Sequence, residues 1–525
     1  MKKIIYSAVA ILILVSSSGC KKWLDVNVNP NNPQVVAPNL YLGPMLTNFV
    51  FAQQWDGRYT AKYVQNWAQI SSLDTYDRMG YSWTTGSNNG GEMWRMTYFL
   101  LGYNLIDMMR LSEEQQRWDL LGIGYTLKAF AWLHTTDQHG EIILSQAFDL
   151  SRKTFDYDTQ EAVYVEILRL LDQAIVNLNR VDGAVNQAYI GSNDVFYGGD
   201  RVKWLKLAWG LKAMAMNHLS NKGALYKPVD IITAVDNSFI GNVDNAKIKF
   251  SGAGSTSSNF FSPTRDNLTS VRQTSFFVKL MDGTQFGSVV DPRLKRLLFP
   301  STDGNVYGLE PTYGYGTLTT QQMPLKNLWG TTTSGTGQTA NYIFNEKSSF
   351  PVVTYSELQF VKAEAAYKKG DKGVAVDAYK KGIEAHIDFV NQANAESANP
   401  NVTQISALEK STFVNAVVPT VSDNLRLSDI MSQKYIALWG WAFLETWTDL
   451  RRYHYTDIDP EVPTVKVFKG FAVPAVDRIS SDNLNKPVYR LRPRYDSEYT
   501  WNIESLNKIG LKQIDYHTIP IWLAN

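Results

Sequence analysis

YSELQFVKAEAAYKKG, Tyr355 to Gly370, runs directly into DKGVAVDAYKKGIEAHIDFV, Asp371 to Val390. In the second segment Ala375, Ala378, Tyr379, Gly382, Ile383, Ile387 and Val390 recur at helical spacing, which puts them on one face of a helix. The first segment has the same periodic character, and Gly370 and Asp371 stand between the two as a stop and a restart. Two helices with small residues at their contact points can pack closely.

That pairing resembles a tetratricopeptide repeat. An isolated helical hairpin would show the same pattern once, so the reading depends on further pairs, and the sequence has them. In EAVYVEILRLLDQAIVNL, Val163, Ile167, Leu170, Leu171, Ala174 and Leu178 share a face. Trp204, Leu207, Ala208, Leu211 and Ala215 do so in the next segment. The expected fold is mainly α, a tetratricopeptide-like repeat scaffold. Trp204, Trp209, Trp439, Trp441 and Trp447 fall within helical patterns and are assigned to its core, and Arg451-Arg452 to pairing with helix-end carbonyls or nearby acids.

Between about 240 and 350 the periodicity vanishes. SGAGSTSSNFFSPTRDN, GNVYGLEPTYGYG and NLWGTTTSGTGQTAN are rich in Gly, Ser, Thr and aromatic residues. A loop of this length inside a compact domain is functional or carries small elements of its own. We read it as an irregular insertion with short strands laid on the helical scaffold, where binding residues concentrate.

The 525-residue chain has one cysteine, in LVSSSGCKKWLDVNVNPNNP, Leu14 to Pro33. Lys2 and Lys3, the apolar run Ile4 to Val15, and the small residues Ser16 to Gly19 are the three parts of a secretory signal peptide. The run is well short of the roughly 20 residues a membrane-spanning helix needs. Gly19-Cys20 fits a lipoprotein cleavage site, although Ser17 stands where Leu is usual. With no second cysteine to pair with, Cys20 is best explained by a lipid, and two or more acyl chains give stable anchoring. Residues 1–19 are expected to be removed, leaving 20–525 as a single domain on a tether.

Lys plus Arg number 51 and Asp plus Glu 50, so the net charge of +1 gives no footprint for nucleic acid or for an anionic lipid surface. His134 and His139 flank Asp137, but a five-residue step misses the shared helical face of an i, i+4 metal pair. HExxH, GxSxG and P-loop patterns are absent, so no metal, cofactor or catalytic residue is assigned.

Aromatic residues outside helical patterns are the remaining chemical signal. SLDTYDRMGYSW offers Tyr76, Arg78, Tyr81 and Trp83, and the insertion offers Tyr307, Tyr313, Tyr315 and Trp329. Flat rings with polar tips suit the apolar faces and polar edges of sugars, with Asn, Gln and Arg fixing hydroxyls or a peptide backbone. Each ring can equally serve to anchor a loop to the scaffold.

A series of segments, in order, resembles the SusD/RagB family of nutrient-binding outer-membrane lipoproteins of Bacteroidetes, in its SusD-like branch. They are CKKWLDVNVNPNNP (20–33), TLKAFAWLHTTDQHGEI (126–142), YDTQEAVYVEILRLLDQAI (157–175), YGGDRVKWLKLAWGLKAMAM (197–216), VVDPRL (289–294), NVYGLEPTYGYG (305–316), VTYSELQFVKAEAAYKKGD (353–371), SQKYIALWGWAFLETWTDLRRYHY (432–455) and YRLRPRYDSEYTWN (489–502). GEIILSQA departs from the family's usual Gly-Asp-Val-Pro-Tyr type of turn. The resemblance implies a non-enzymatic lipoprotein on the outer face of the outer membrane. It would capture a glycan oligomer or a peptide and act as a lid on a SusC-type TonB-dependent transporter, docking in part through Asp25 to Pro38. Two other classes share some of these features: a secreted helical-toroid polysaccharide-degrading enzyme, with paired carboxylates in a cleft, and a surface adhesin using its repeats.

Overall fold

The computed structural model describes residues 36–81, 90–332, 340–396, 399–400, 402–493 and 496–525. The segment 1–19, Cys20, most of the segment from Asp25 to Pro38, and Trp83 lie outside the described residues.

The longer helices are α1 (Leu42–Tyr63), α2 (Gly102–Glu114), α3 (Trp118–His139), α4 (Gln160–Asn179), α5 (Arg201–His218), α6 (Pro228–Asp236), α7 (Ser275–Met281), α8 (Tyr355–Lys369), α9 (Lys372–Glu396), α10 (Ala407–Val417), α11 (Leu427–Leu438) and α12 (Phe443–Arg452). Short strands are β1 (Trp67–Gln69), β2 (Ala246–Ile248), β3 (Val271–Gln273), β4 (Phe350–Val353), β5 (Ile458–Asp459) and β6 (Val462–Lys466). The protein is mainly helical, as the periodicity predicts.

Helices that follow one another pack on one another: α3 on α4, α4 on α5, α5 on α6 and α8 on α9. The hairpin α8–α9 shows why. Thr354 caps α8 by accepting the Glu357 amide, while the Glu357 carboxylate accepts the Thr354 amide, a reciprocal capping box. At Gly382 a Cβ would lie 2.9 Å from the Phe360 ring, so only a residue without a side chain lets α9 approach α8 this closely. All seven residues placed on one face of α9 by their spacing are buried, as are the six of α4. Trp204, Trp439, Trp441 and Trp447 are core residues; Trp209 is only half-buried, with Lys212 5.3 Å above its ring.

A chain of buried charges joins α3, α5, α8, α11 and α12. Lys434 pairs with Glu445 at 2.8 Å and Asp449 at 2.7 Å, and Arg452 with Glu364 and Asp449. His218 links Glu445 at 2.8 Å to Asp137 at 3.2 Å. Burial pulls the His218 pKa down, but the Glu445 and Asp137 carboxylates outweigh it and raise it to about 9. Arg451 donates instead to the carbonyls of Asp137 and Tyr489, so the two arginines divide the roles expected of them. His139 is buried and His134 half-buried among core rings, His134 bonded to Gln53 and His139 to the Leu491 carbonyl.

The insertion is stitched to this scaffold at several points. β2 pairs antiparallel with β4, bringing Ala246 opposite Val353, and β3 pairs with β1 at Trp67↔Gln273. Gln54 of α1 donates to Asn259 at 2.8 Å, and Asn259 donates to the Ile343 carbonyl. Short strands were expected here. The helix α7 and the helical turn Leu294–Leu297 were not, because seven and four residues are too few for a periodic signal.

Candidate functional site

Three loop segments from distant parts of the chain meet on the insertion side. After β1, the chain from Ile70 to Tyr81 lies against 309–315: the Leu73 amide donates to Thr312 at 3.0 Å and the Tyr315 amide to Ile70 at 3.2 Å. Gly314, at φ +57°, makes the contact feasible, since a Cβ there would stand 2.3 Å from the Ile70 carbonyl oxygen. The third segment is 475–480. Arg78 donates to the carbonyls of Arg478 and Ile479, both at 3.0 Å, and the Ser480 amide returns a bond to Arg78. The Arg478 guanidinium then lies 4.2 Å over the Tyr313 ring.

Two of the predicted residues, Arg78 and Tyr313, are thereby brought together through Arg478, although they are more than two hundred positions apart. Tyr313 is 37% exposed and presents a ring to solvent. The other predictions divide. Tyr76 is buried between Tyr59 and Tyr63, with ring centroids at 4.9 and 5.8 Å, and Tyr81 is buried 6.4 Å from it. Trp329 is buried and donates its indole N–H to the Phe261 carbonyl at 2.8 Å. Rings closed on both faces have none left to stack on a ligand, so in this conformation these three are loop anchors and not platforms. Tyr315 is half-buried, packed with Tyr307 against Ala68, Leu309 and Leu325.

Tyr307 does line an opening. A groove of about 670 Å³ runs between α7 and the loop 305–322, bordered by Ser275, Lys279, Lys295, Asn305, Tyr307 and Glu310. The Tyr307 hydroxyl donates to Asp303 at 2.7 Å, and that bond leads the causes holding the Asp303 carboxyl below its usual range. Lys279 meets Glu310 at 3.3 Å across the groove. This mixture of amide, hydroxyl and charged groups beside one ring suits a ligand with many hydroxyls or peptide groups. Beneath the loop, burial pushes the Asp77 carboxyl up to about 7 while the Gln69 amide holds one of its oxygens.

Sequence reasoning missed Arg478, Lys279, Lys295 and Phe299, a half-buried ring in a neighbouring groove of about 520 Å³ that also reaches Lys295 and Lys326. Only their place in an aperiodic stretch marked them. Among the described residues no cluster of His, Cys, Asp and Glu could hold a metal ion, and no helix is long and apolar enough to cross a membrane.

The described structure is thus a helical-repeat scaffold with grooves on an irregular insertion. Residues 30–469 match the family model SusD-like_2, described as starch-binding and associating with the outer membrane, and the chain belongs to this SusD-like family. Solved structures share the fold. A SusD/RagB family protein from Bacteroides thetaiotaomicron has a TM-score of 0.71 at 21% identity, over 94% of this chain and 99% of that one. A SusD homologue from Bacteroides fragilis gives 0.71 at 17%, over 94% and 100%. A chitin-binding SusD homologue from Flavobacterium johnsoniae gives 0.64 at 20%, over 93% and 98%. No curated protein matches the sequence.

Proposed function

We propose that this protein is a cell-surface lipoprotein, anchored through Cys20, that captures an oligomeric nutrient on its insertion side and closes over a SusC-type TonB-dependent transporter. The observation that carries the reading is the convergence of 70–81, 305–318 and 475–480 into one surface, with the exposed Tyr313 and the Tyr307 groove on it, in a chain of the SusD-like family. The protein binds and does not transform its ligand. Family membership lends no support to the toroid-enzyme or adhesin alternatives.

An exposed apolar patch supports a protein partner. Leu40, Phe99 and Tyr103 are 51%, 67% and 42% exposed, and they border a shared groove beside the start of α1, next to the first described residues. Exposed apolar surface of this kind marks interaction sites. The test has two arms. The mature chain is screened against an array of oligosaccharides and peptides, and native membranes are probed by pull-down with the lipidated protein. Binding to some member of the array and recovery of a large β-barrel are expected. A silent array, or recovery of the lipoprotein alone, would sink the respective half of the reading.

A further inference from the structure

We infer that the ligand is an anionic oligosaccharide, a chain carrying uronic acid residues, held in the groove around Lys295 and Lys326. This rests on the reading that the insertion side captures a nutrient, and it names the class of that nutrient.

The groove of about 520 Å³ is bordered by Lys295, Arg296, Phe299, Lys326, Asn341 and Asn399, and no carboxylate is among its described lining residues. Arg296 is engaged, pairing with Glu409 at 2.7 Å. Lys295 and Lys326 form no salt bridge to a described residue, and Lys295 is exposed. In a chain whose charges sum to +1, two uncompensated ammonium groups around an acid-free groove are a local feature and not a product of composition. Such a groove concentrates anions.

The remaining lining narrows the anion. Phe299 is a half-buried ring that can meet the apolar face of a pyranose. Asn341 and Asn399, linked by a 2.8 Å bond from the Asn399 amide to the Asn341 carbonyl oxygen, place amide groups where ring hydroxyls would lie. Lys295 stands where this groove meets the Tyr307 groove, which carries Asp282 and Glu310 beside Lys279, so the anionic chain is confined to the Lys295–Lys326 side. Carboxylates borne on pyranose rings match that layout, pairing the lysines with charge and the Phe299 ring with an apolar sugar face.

The experiment compares a galacturonic acid tetramer with its fully methyl-esterified form, which keeps the rings and loses the charge. A sulfated galactan oligomer, a chitin oligomer and an acidic peptide complete the panel, all titrated calorimetrically onto the mature chain. We expect the free acid to bind at least tenfold more tightly than the ester at low salt, with the gap shrinking at high salt. Lys295→Gln and Lys326→Gln, both groove-rim changes, should each weaken the acid about three- to tenfold and leave the ester unchanged. Tighter binding of the sulfated oligomer than of the free acid overturns the assignment to uronic acid. Equal binding of acid and ester, a double lysine variant that binds the acid normally, or preference for the acidic peptide overturns the inference. A preference for chitin or another neutral oligomer would overturn it while leaving nutrient capture intact, whereas no binding by any probe would count against both.

Discussion

Arg452 and Glu364, 88 positions apart, meet as a two-pronged ion pair with Nη1–Oε1 2.8 Å and Nη2–Oε2 3.0 Å, and neither side chain touches water. The pair fastens α12 to α8. Arg452→Met leaves both Glu364 and Asp449 without this partner in a dry core. It should cost about 3–5 kcal/mol, read as a lower urea midpoint. The double variant Arg452→Met/Glu364→Gln should cost less than the two single changes together, because it removes the stranded charge.

His218 makes stability depend on pH in a stated direction. Its folded pKa of about 9 stands above the ordinary 6.5 because of Glu445 and Asp137, acting against burial. A raised pKa gives stability that is complete below pH 6.5 and is lost as pH rises through 9. That contribution amounts to about 3 kcal/mol across the window. His218→Gln should lower stability at pH 6 and flatten the difference between pH 6.5 and 9. A decline in this variant as steep as in the parent would refute the assignment.

Gly314→Ala should uncouple the two loop segments. The added methyl meets the Ile70 carbonyl oxygen, which is backbone and cannot rotate away, at a residue with φ +57°. A loss of about 2–4 kcal/mol is expected from the clash and the left-handed backbone together. Ligand affinity should fall with it, while the helical content by circular dichroism stays unchanged.

Tyr313→Ala tests the exposed platform. Its ring is held by Arg478 at 4.2 Å, so its removal costs no core packing. Ligand affinity should drop about fivefold, the equivalent of about 1 kcal/mol of stacking, with no shift in melting temperature. Tyr76→Ala should behave in the opposite way, with a large stability loss, because that ring is buried among Tyr59, Tyr63 and Tyr81.

Cys20→Ala should yield a folded protein that leaves the membrane fraction. No described helix is long and apolar enough to cross a membrane. Persistent membrane association without the transporter would contradict the anchor.

The helical half was legible because its periodicity is long and its contacts are local. Val163 through Leu178 or Ala375 through Val390 repeat their burial every turn, and the same residues are the ones the structure closes off. The insertion was legible only as an absence of that pattern. Whether Trp329 or Tyr313 faces solvent depends on partners far along the chain, Phe261 68 positions away in one case and Arg478 in the other, and no local spacing encodes it. Pairing of β1 with β3 across about two hundred positions is likewise invisible in three-residue strands. Lys295 and Lys326 escaped notice because their significance lies in the lack of acids around them, a property of the folded groove.

The pairing of Ala246 with Val353 brings the two ends of the insertion to one spot on the scaffold. Loop closure is then already achieved by the scaffold-side ladder, and further length between those ends costs little, each doubling adding only about 0.6 kcal/mol. Length can therefore vary at exposed turns between those ends, whereas Phe261, Phe277, Trp329 and Phe344 cannot be exchanged freely, because they share one core with the helices. Phe277 lies stacked at 4.4 Å on Trp439, between α11 and α12, so the insertion and the scaffold fold as one body.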